Sequence, residues 1–325
     1  MLLHPAIRAL QGDPAPQRAA QQAAHDGMLA WVSDAQRVRL RAELDAFATA
    51  RPMSDCPLLS SLFAEGDPTA RNLALSFAAA GTGILAQHPL AHLPQRHSTD
   101  GTVSVLLLGR SGNVTLTLCA VDGESFAAGQ PARNVTFWQG ESWEHVLAGE
   151  AEVELVERRP ADEQQISLSR CTVDLAQGSI VCRDADRQAM ILRTVPRCFV
   201  TLRLQRRLPQ AGPSREYALE DGALVHQSAG NPRDSRIELM MALLGRMKRA
   251  DAAARFAEIA TGEGSEALRW QALREGLALD TATGFTALCR VAADPHDALA
   301  EPAGALRAQL VEAHPALTGI DPCLA

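Results

Sequence analysis

The chain lacks most of the short signatures that would fix its chemistry. It has no C-x-x-C pair, and its seven cysteines (Cys56, Cys119, Cys171, Cys182, Cys198, Cys289 and Cys323) are odd in number and scattered. Neither a zinc ribbon nor a disulfide framework is suggested. Most read as small buried hydrophobes, and nothing flanking Cys171 or Cys182 is arranged to lower a thiol pKa. There is no Walker motif and no H-E-x-x-H. Gly81-Thr-Gly83 has no strand before it and no third glycine, so it is not a nucleotide loop. The serine of Gly109-Arg-Ser-Gly112 lies between two alternating runs and belongs to a hairpin turn, not a nucleophile elbow. No apolar window approaches about 18 residues, so no membrane span is expected. No basic segment runs into an apolar core at the start, and the expected location is the cytoplasm. Basic surplus is also missing: the formal net charge is −7, which argues against a nucleic-acid partner. The local groups Arg203, Arg206, Arg207 and Arg246, Lys248, Arg249 stand near predicted element ends and read as solvated or as complementing helix dipoles.

What the chain does have is an ordinary globular composition, 46% hydrophobic and 21% charged over 325 residues, with room for two or three cores. Its texture changes three times. Residues 1–100 form an N-terminal helical region. Apolar residues recur at three- and four-residue spacings in 17–50, and Ser33-Asp34 is placed to cap a second helix. Asp67-Pro68 opens a further helix, expected to stop near Gly81 or Gly83. Residues 101–208 switch to a period of two. Val103, Val105, Leu107 and Val114, Leu116, Leu118 flank a turn at 110–113, and strand-like runs follow at 134–138, 143–147, 151–157, 165–174, 179–183, 189–195 and 199–205. Many short strands at this spacing predict a sandwich or barrel. Residues 209–232 are a linker rich in Pro, Gly and Ser, and it holds the only tyrosine, Tyr217. Residues 233–325 return to helices, with an apolar stripe of Ile237, Met240, Met241, Leu243, Leu244 and Met247, and a cap at Ser265. The overall class is therefore α+β and multidomain.

Residues 146–158, VLAGEAEVELVER, carry the most specific signal. Two apolar residues run into a glycine, and an alternating strand follows. This resembles the end of the first motif of the cupin superfamily, the RmlC-like jelly-roll barrels, over roughly residues 116–204. The segment Leu175-Ala-Gln-Gly-Ser-Ile-Val181 resembles the second motif, with Ala176 and Ser179 where the family has a proline and an aspartate. Residues 233–325 resemble HEAT-type helical repeats, most of all over 268–280.

The cupin resemblance implies a β-barrel, and for typical members a divalent metal held by histidines and a glutamate. Counting back from Gly149, the glutamate position falls on Ser142, with Glu141 and Glu144 beside it. The histidine positions fall near Thr136 and Trp138, and the last one near Gln188 or Ala189. The turns and the alternation persist while the ligand set is gone, so a barrel without metal or other cofactor is the favoured expectation. Its ligand-binding candidates are Trp138, Trp143, His145, Arg133 and Arg183: aromatic walls at a barrel mouth, and arginines able to clamp an anion. The expected role is a non-catalytic binding or regulatory module, its barrel taking a small organic ligand or serving as a scaffold. The helical domain would contact a partner protein, and homodimers are expected. The alternative is a metal-dependent dioxygenase or isomerase using Fe, Mn, Ni or Zn on His88, His92, His97 and Glu144.

Overall fold

The computed structural model describes residues 13–160, 166–208, 212–230 and 232–320; Cys323 and parts of the 209–232 connection lie outside them. The chain divides into two compact units, Met1–Pro209 with Tyr217–Leu224, and Gln210–Glu216 with Val225–Ala325.

The first unit opens with helices α1 (Ala15–Val32), α2 (Ala35–Ala48), α3 (Pro57–Leu62) and α4 (Thr69–Gln87). Asp34 caps α2 by accepting from the Gln36 N–H at 2.9 Å, and Asp67 accepts from the Thr69 N–H at 2.8 Å ahead of α4. Helix α4 runs through Gly81 and Gly83 instead of stopping there, six residues of helix that propensity argues against. Packing explains the extension: Ile84 lies against the buried cluster of Ala20, Ala24 and Ala91, and Gly81 lets Leu93 approach.

Strands follow: β1 (His97–Thr99), β2 (Val103–Ser111), β3 (Val114–Asp122), then the short helix α5 (Gly123–Ala128), β4 (Asn134–Phe137), β5 (Gly140–Ala148), β6 (Glu150–Pro160), β7 (Ile166–Ala176), β8 (Ile180–Asp184), β9 (Gln188–Thr194), β10 (Cys198–Arg207), β11 (Ser214–Ala218) and β12 (Leu224–Ser228). One sheet has the order β1-β2-β3-β10-β5-β8, and two three-stranded sheets have the orders β7-β6-β9 and β12-β11-β4. Val135 and Phe137 of β4 share a core with Ala189 and Ile191 of β9. The order β3-β10-β5-β8 facing β9-β6-β7, with β4 packed beside β9, is a jelly-roll arrangement. Gly149 makes the β5–β6 turn at φ +82°, where a Cβ would stand 1.8 Å from the Cys198 carbonyl oxygen. The glycine of the V-L-A-G run is therefore a steric requirement of the barrel corner.

The six-stranded sheet is covered on both faces. Val121, Val146 and Phe199 meet Ala151, Val153 and Leu175 of the facing sheet and form the barrel interior. On the other face Val114, Leu116, Leu202 and Leu204 pack under Leu40, Leu44, Phe47, Leu59 and Leu62 of the helices. Each fully buried side chain of this kind contributes about 1.5–3 kcal/mol.

The second unit holds α6 (Pro232–Arg246), α7 (Ala253–Thr261), α8 (Glu266–Leu279), α9 (Thr281–Ala293) and α10 (Ala300–Ala313) around Phe256, Leu273, Phe285 and Leu288. The apolar stripe of α6 splits in two: Ile237, Met241 and Leu244 pack inward, while Met240, Leu243 and Met247 are exposed beside Leu239. Arg269 pairs with Asp297, both side chains largely buried, and also donates to the Ala260 carbonyl. Ser265 accepts from the Leu268 N–H at 3.3 Å at the start of α8. Replacing it with alanine is expected to remove about 1 kcal/mol of helix stability, read as a lower urea midpoint of the helical unit at unchanged slope.

Candidate functional site

Strand parity decides which side chains enter the barrel. In β5, Val146 is part of the interior core, so Ser142 and Glu144 share its face. Their cross-strand partners are Gln205 and Arg203 of β10, and Arg183 and Val181 of β8. The interior thus carries a row of Arg183, Ser142 and Gln205 beside a row of Val181, Glu144 and Arg203. Glu144 is 2% exposed and Ser142 1%. The Arg183 Nη2 donates to Glu144 Oε1 at 2.5 Å, and Arg203 Nη2 reaches Oε2 at 3.5 Å. The Arg203 Nε is 3.3 Å from Oε1 but is not aligned for a hydrogen bond. Burial works against the Arg203 charge, yet the attraction of Glu144, with lesser help from Cys119, prevails and lifts its pKa above the ordinary guanidinium value.

Among the described residues, Ser142 Oγ, Arg183 Nε and Arg203 Nε are buried with no hydrogen-bond partner. A buried polar atom left without a partner costs about 1–3 kcal/mol, so three around one carboxylate are not a stability device. Arg183 also lines a cavity of about 510 Å³, together with Leu155, Glu157, Ser169, Cys171, Val181 and Gln188. These residues come from β6, β7, β8 and β9, so the cavity lies where the β7 and β8 edges leave the barrel unclosed. Cys182, at the same opening, is exposed, as are Cys171 and Cys198. Of the described cysteines only Cys56, Cys119 and Cys289 are the buried hydrophobes expected. Partial desolvation still holds the Cys182 thiol above its usual range, which does not favour nucleophilic attack.

The predicted site residues do not converge. Arg183 enters the site. Trp143 and His145 have the opposite parity: Trp143 meets Phe47 edge-on at 5.5 Å, and His145 Nδ1 is 2.8 Å from the Leu62 carbonyl oxygen. Both hold the helical layer to the outside of the sheet. Trp138 lies under the Arg207 guanidinium at 4.8 Å, and Arg133 is an exposed residue whose carbonyl accepts from the Leu219 N–H. A second hollow of about 690 Å³, on the outer side of the sheet, is lined by Trp143, Glu141, Arg206 and Arg207. There Arg206 is already committed to Glu141, the Phe47 ring and the Arg51 carbonyl.

The alternative metal set is not assembled. His88 ends α4, the main chain of His92 is bonded to the Gln21 side chain, and His97 pairs with Leu106 in β1. Glu144 is tied to two arginines instead. Among the described residues no three His, Cys, Asp or Glu side chains gather as a cation would need. A carboxylate flanked by two guanidinium groups does not fit a divalent ion, because the neighbouring positive charges oppose it. The sequence names Ser142 only as the place of the family's glutamate and Arg203 only as a solvated charge, and neither as a ligand-binding candidate. Their signal is register: Arg203 stands opposite Glu144, and Ser142 stands opposite Arg183.

No family model matches the chain, and no curated protein matches it. Solved structures resemble part of it. A cupin superfamily protein of Desulfitobacterium hafniense is 14% identical over 34% of this chain and 83% of that one, with a TM-score of 0.24. A protein of Klebsiella pneumoniae with a double-stranded β-helix domain is 13% identical over 34% and 80%, also at 0.24. Oxalate decarboxylase from Bacillus subtilis is 12% identical over 35% and 27%, at 0.26.

Proposed function

We propose that the jelly roll is a metal-free, cupin-type binding module that takes a small organic molecule into the open end of its barrel. The HEAT-like reading of residues 233–325 is part of the same proposal, with the helical unit as the partner-contacting half of a non-catalytic protein. One observation carries the binding reading. The interior cavity has an apolar wall, Leu155 and Val181, and ends against a buried polar cluster through Arg183. Such a volume suits a drug-sized or smaller ligand, and convergent polar groups at one end of an apolar pocket orient it. A solid scaffold barrel would be filled here by side chains, as its other half is by Val121, Val153, Leu175 and Phe199.

The test is occupancy of this cavity. Leu155 stands between Cys171 and Met190 across the sheet and faces the space directly. A set of neutral, cationic and anionic fragment-sized molecules is screened by thermal shift against the wild type and Leu155→Trp. At least one class is expected to raise the wild-type Tm by mass action, and Leu155→Trp is expected to lose that rise while keeping its own fold. An equal rise in both proteins would put the ligand elsewhere. No rise with any class would remove the binding reading.

A further inference from the structure

The charges and unpartnered donors inside the barrel define what the cavity would hold, given that it is a binding site as proposed above. Arg183 and Arg203 face one carboxylate, Glu144, so the buried cluster carries one uncompensated positive charge. The free donors have the same sense. Arg183 Nε and Ser142 Oγ are buried without a hydrogen-bond partner among the described residues, and Arg203 Nε has only its unaligned approach to Glu144. The Arg183 Nε is enclosed and Nη2 is engaged by Glu144, while Nη1 is not enclosed and has no partner among the described residues, so the Nη1 end of the guanidinium is the edge left to offer. That edge suits a planar two-oxygen anion, because guanidinium donors lie in one plane and bond a carboxylate side by side. Arg183 is the group that both joins the cluster and lines the cavity.

We infer that the ligand is an organic monocarboxylate, its head group on the free edge of Arg183 and its apolar body along Leu155 and Val181. The charge count favours one negative charge over two: Glu157 and Arg170 both stand at the cavity wall and offset one another, so the surplus is the single positive charge of Arg183 and Arg203 over Glu144. A purely inorganic anion would leave the apolar wall wet. Glu144 acts here as a positioning residue, since its bond to Nη2 fixes which edge of the guanidinium is presented.

The experiment uses benzoate, its neutral isostere benzamide, and inorganic phosphate, titrated by calorimetry into the full-length protein. Benzoate is expected to bind, with benzamide and phosphate at least about tenfold weaker, since a charge-assisted bidentate contact is lost in each case. Arg183→Gln is expected to bring benzoate down to the benzamide level, with the urea midpoint reporting that the barrel is folded. Arg183→Lys keeps the charge beside Glu144 without the fork, and is expected to weaken benzoate severalfold. Equal binding of benzamide or of phosphate, an unchanged benzoate affinity in Arg183→Gln, or no benzoate binding by the wild type would each overturn the monocarboxylate assignment. The two readings fail separately. Neutral molecules that bind the wild type and not Leu155→Trp would leave the cavity standing and remove only the anion. Benzoate binding that survives Leu155→Trp would remove the cavity itself.

Discussion

Replacing Glu144 with alanine is expected to destabilise the barrel by about 3–5 kcal/mol, the cost of leaving a buried partner charge uncompensated. The residue is 2% exposed, and its two arginine partners come from the strands on either side of it. Without the carboxylate, two guanidinium groups face one another across the barrel interior. The Arg183 side chain is only 11% exposed, whereas that of Arg203 is 34% exposed and has a route to water. The measurement is a urea titration of Glu144→Ala and Glu144→Gln beside the wild type, read by fluorescence. Glutamine keeps the shape and one acceptor, so its loss is expected to be the smaller of the two. A loss under about 1 kcal/mol for alanine would mean that the pair behaves as a surface ion pair and that Arg203 swings out freely.

Phe47→Ala is expected to cost a similar amount, about 3–5 kcal/mol, through a cavity between the helical layer and the sheet. Phe47 has no exposed surface, meets the Trp143 ring edge-on, and carries the Arg206 guanidinium 3.9 Å above its ring centre. Two contacts, one with β5 and one with β10, depend on this one side chain of α2. The urea midpoint should fall while the slope is unchanged, since the surface exposed on unfolding is nearly the same. A loss below about 1 kcal/mol would mean that the layer relaxes into the space, contrary to the tight packing found at such sites.

The fold was largely legible because its signals are local. The alternation in 103–118, the glycine at 149 and the caps at Asp34 and Ser265 all act within a few residues, and each appears where the chain places it. The extent of α4 was not, because Gly81 and Gly83 are poor helix formers and the packing of Ile84 lies outside their neighbourhood. The site was half legible. Glu144 is legible by counting back from Gly149, and Arg183 by its place at a strand end near the second motif. Their pairing is not, nor is the inclusion of Ser142 and Arg203, since both depend on which face of β5 is the inner one. A strand buried on one face reveals that face by its apolar residues. β5 is buried on both, with Trp143, His145 and Leu147 under the helices and Ser142, Glu144 and Val146 in the barrel. An error of one residue in parity moves every side chain to the wrong side. That is why the sequence points to Trp143 and His145, the more conspicuous residues, for a pocket they do not line from within.

The position of β10 has a consequence for how this protein is made. It is the last strand of the jelly roll to leave the ribosome, yet it lies at the middle of the six-stranded sheet, hydrogen-bonded to β3 on one side and β5 on the other. Thr117 of β3 and Arg203 of β10 are 86 residues apart in the chain. Until β10 arrives, the edges of β3 and β5 have no partner, and the apolar floor on which α2 and α3 settle lacks Leu202 and Leu204. Contacts of this range form late and leave strand edges exposed during synthesis, so the nascent barrel passes through an aggregation-prone interval that ends with a single strand insertion.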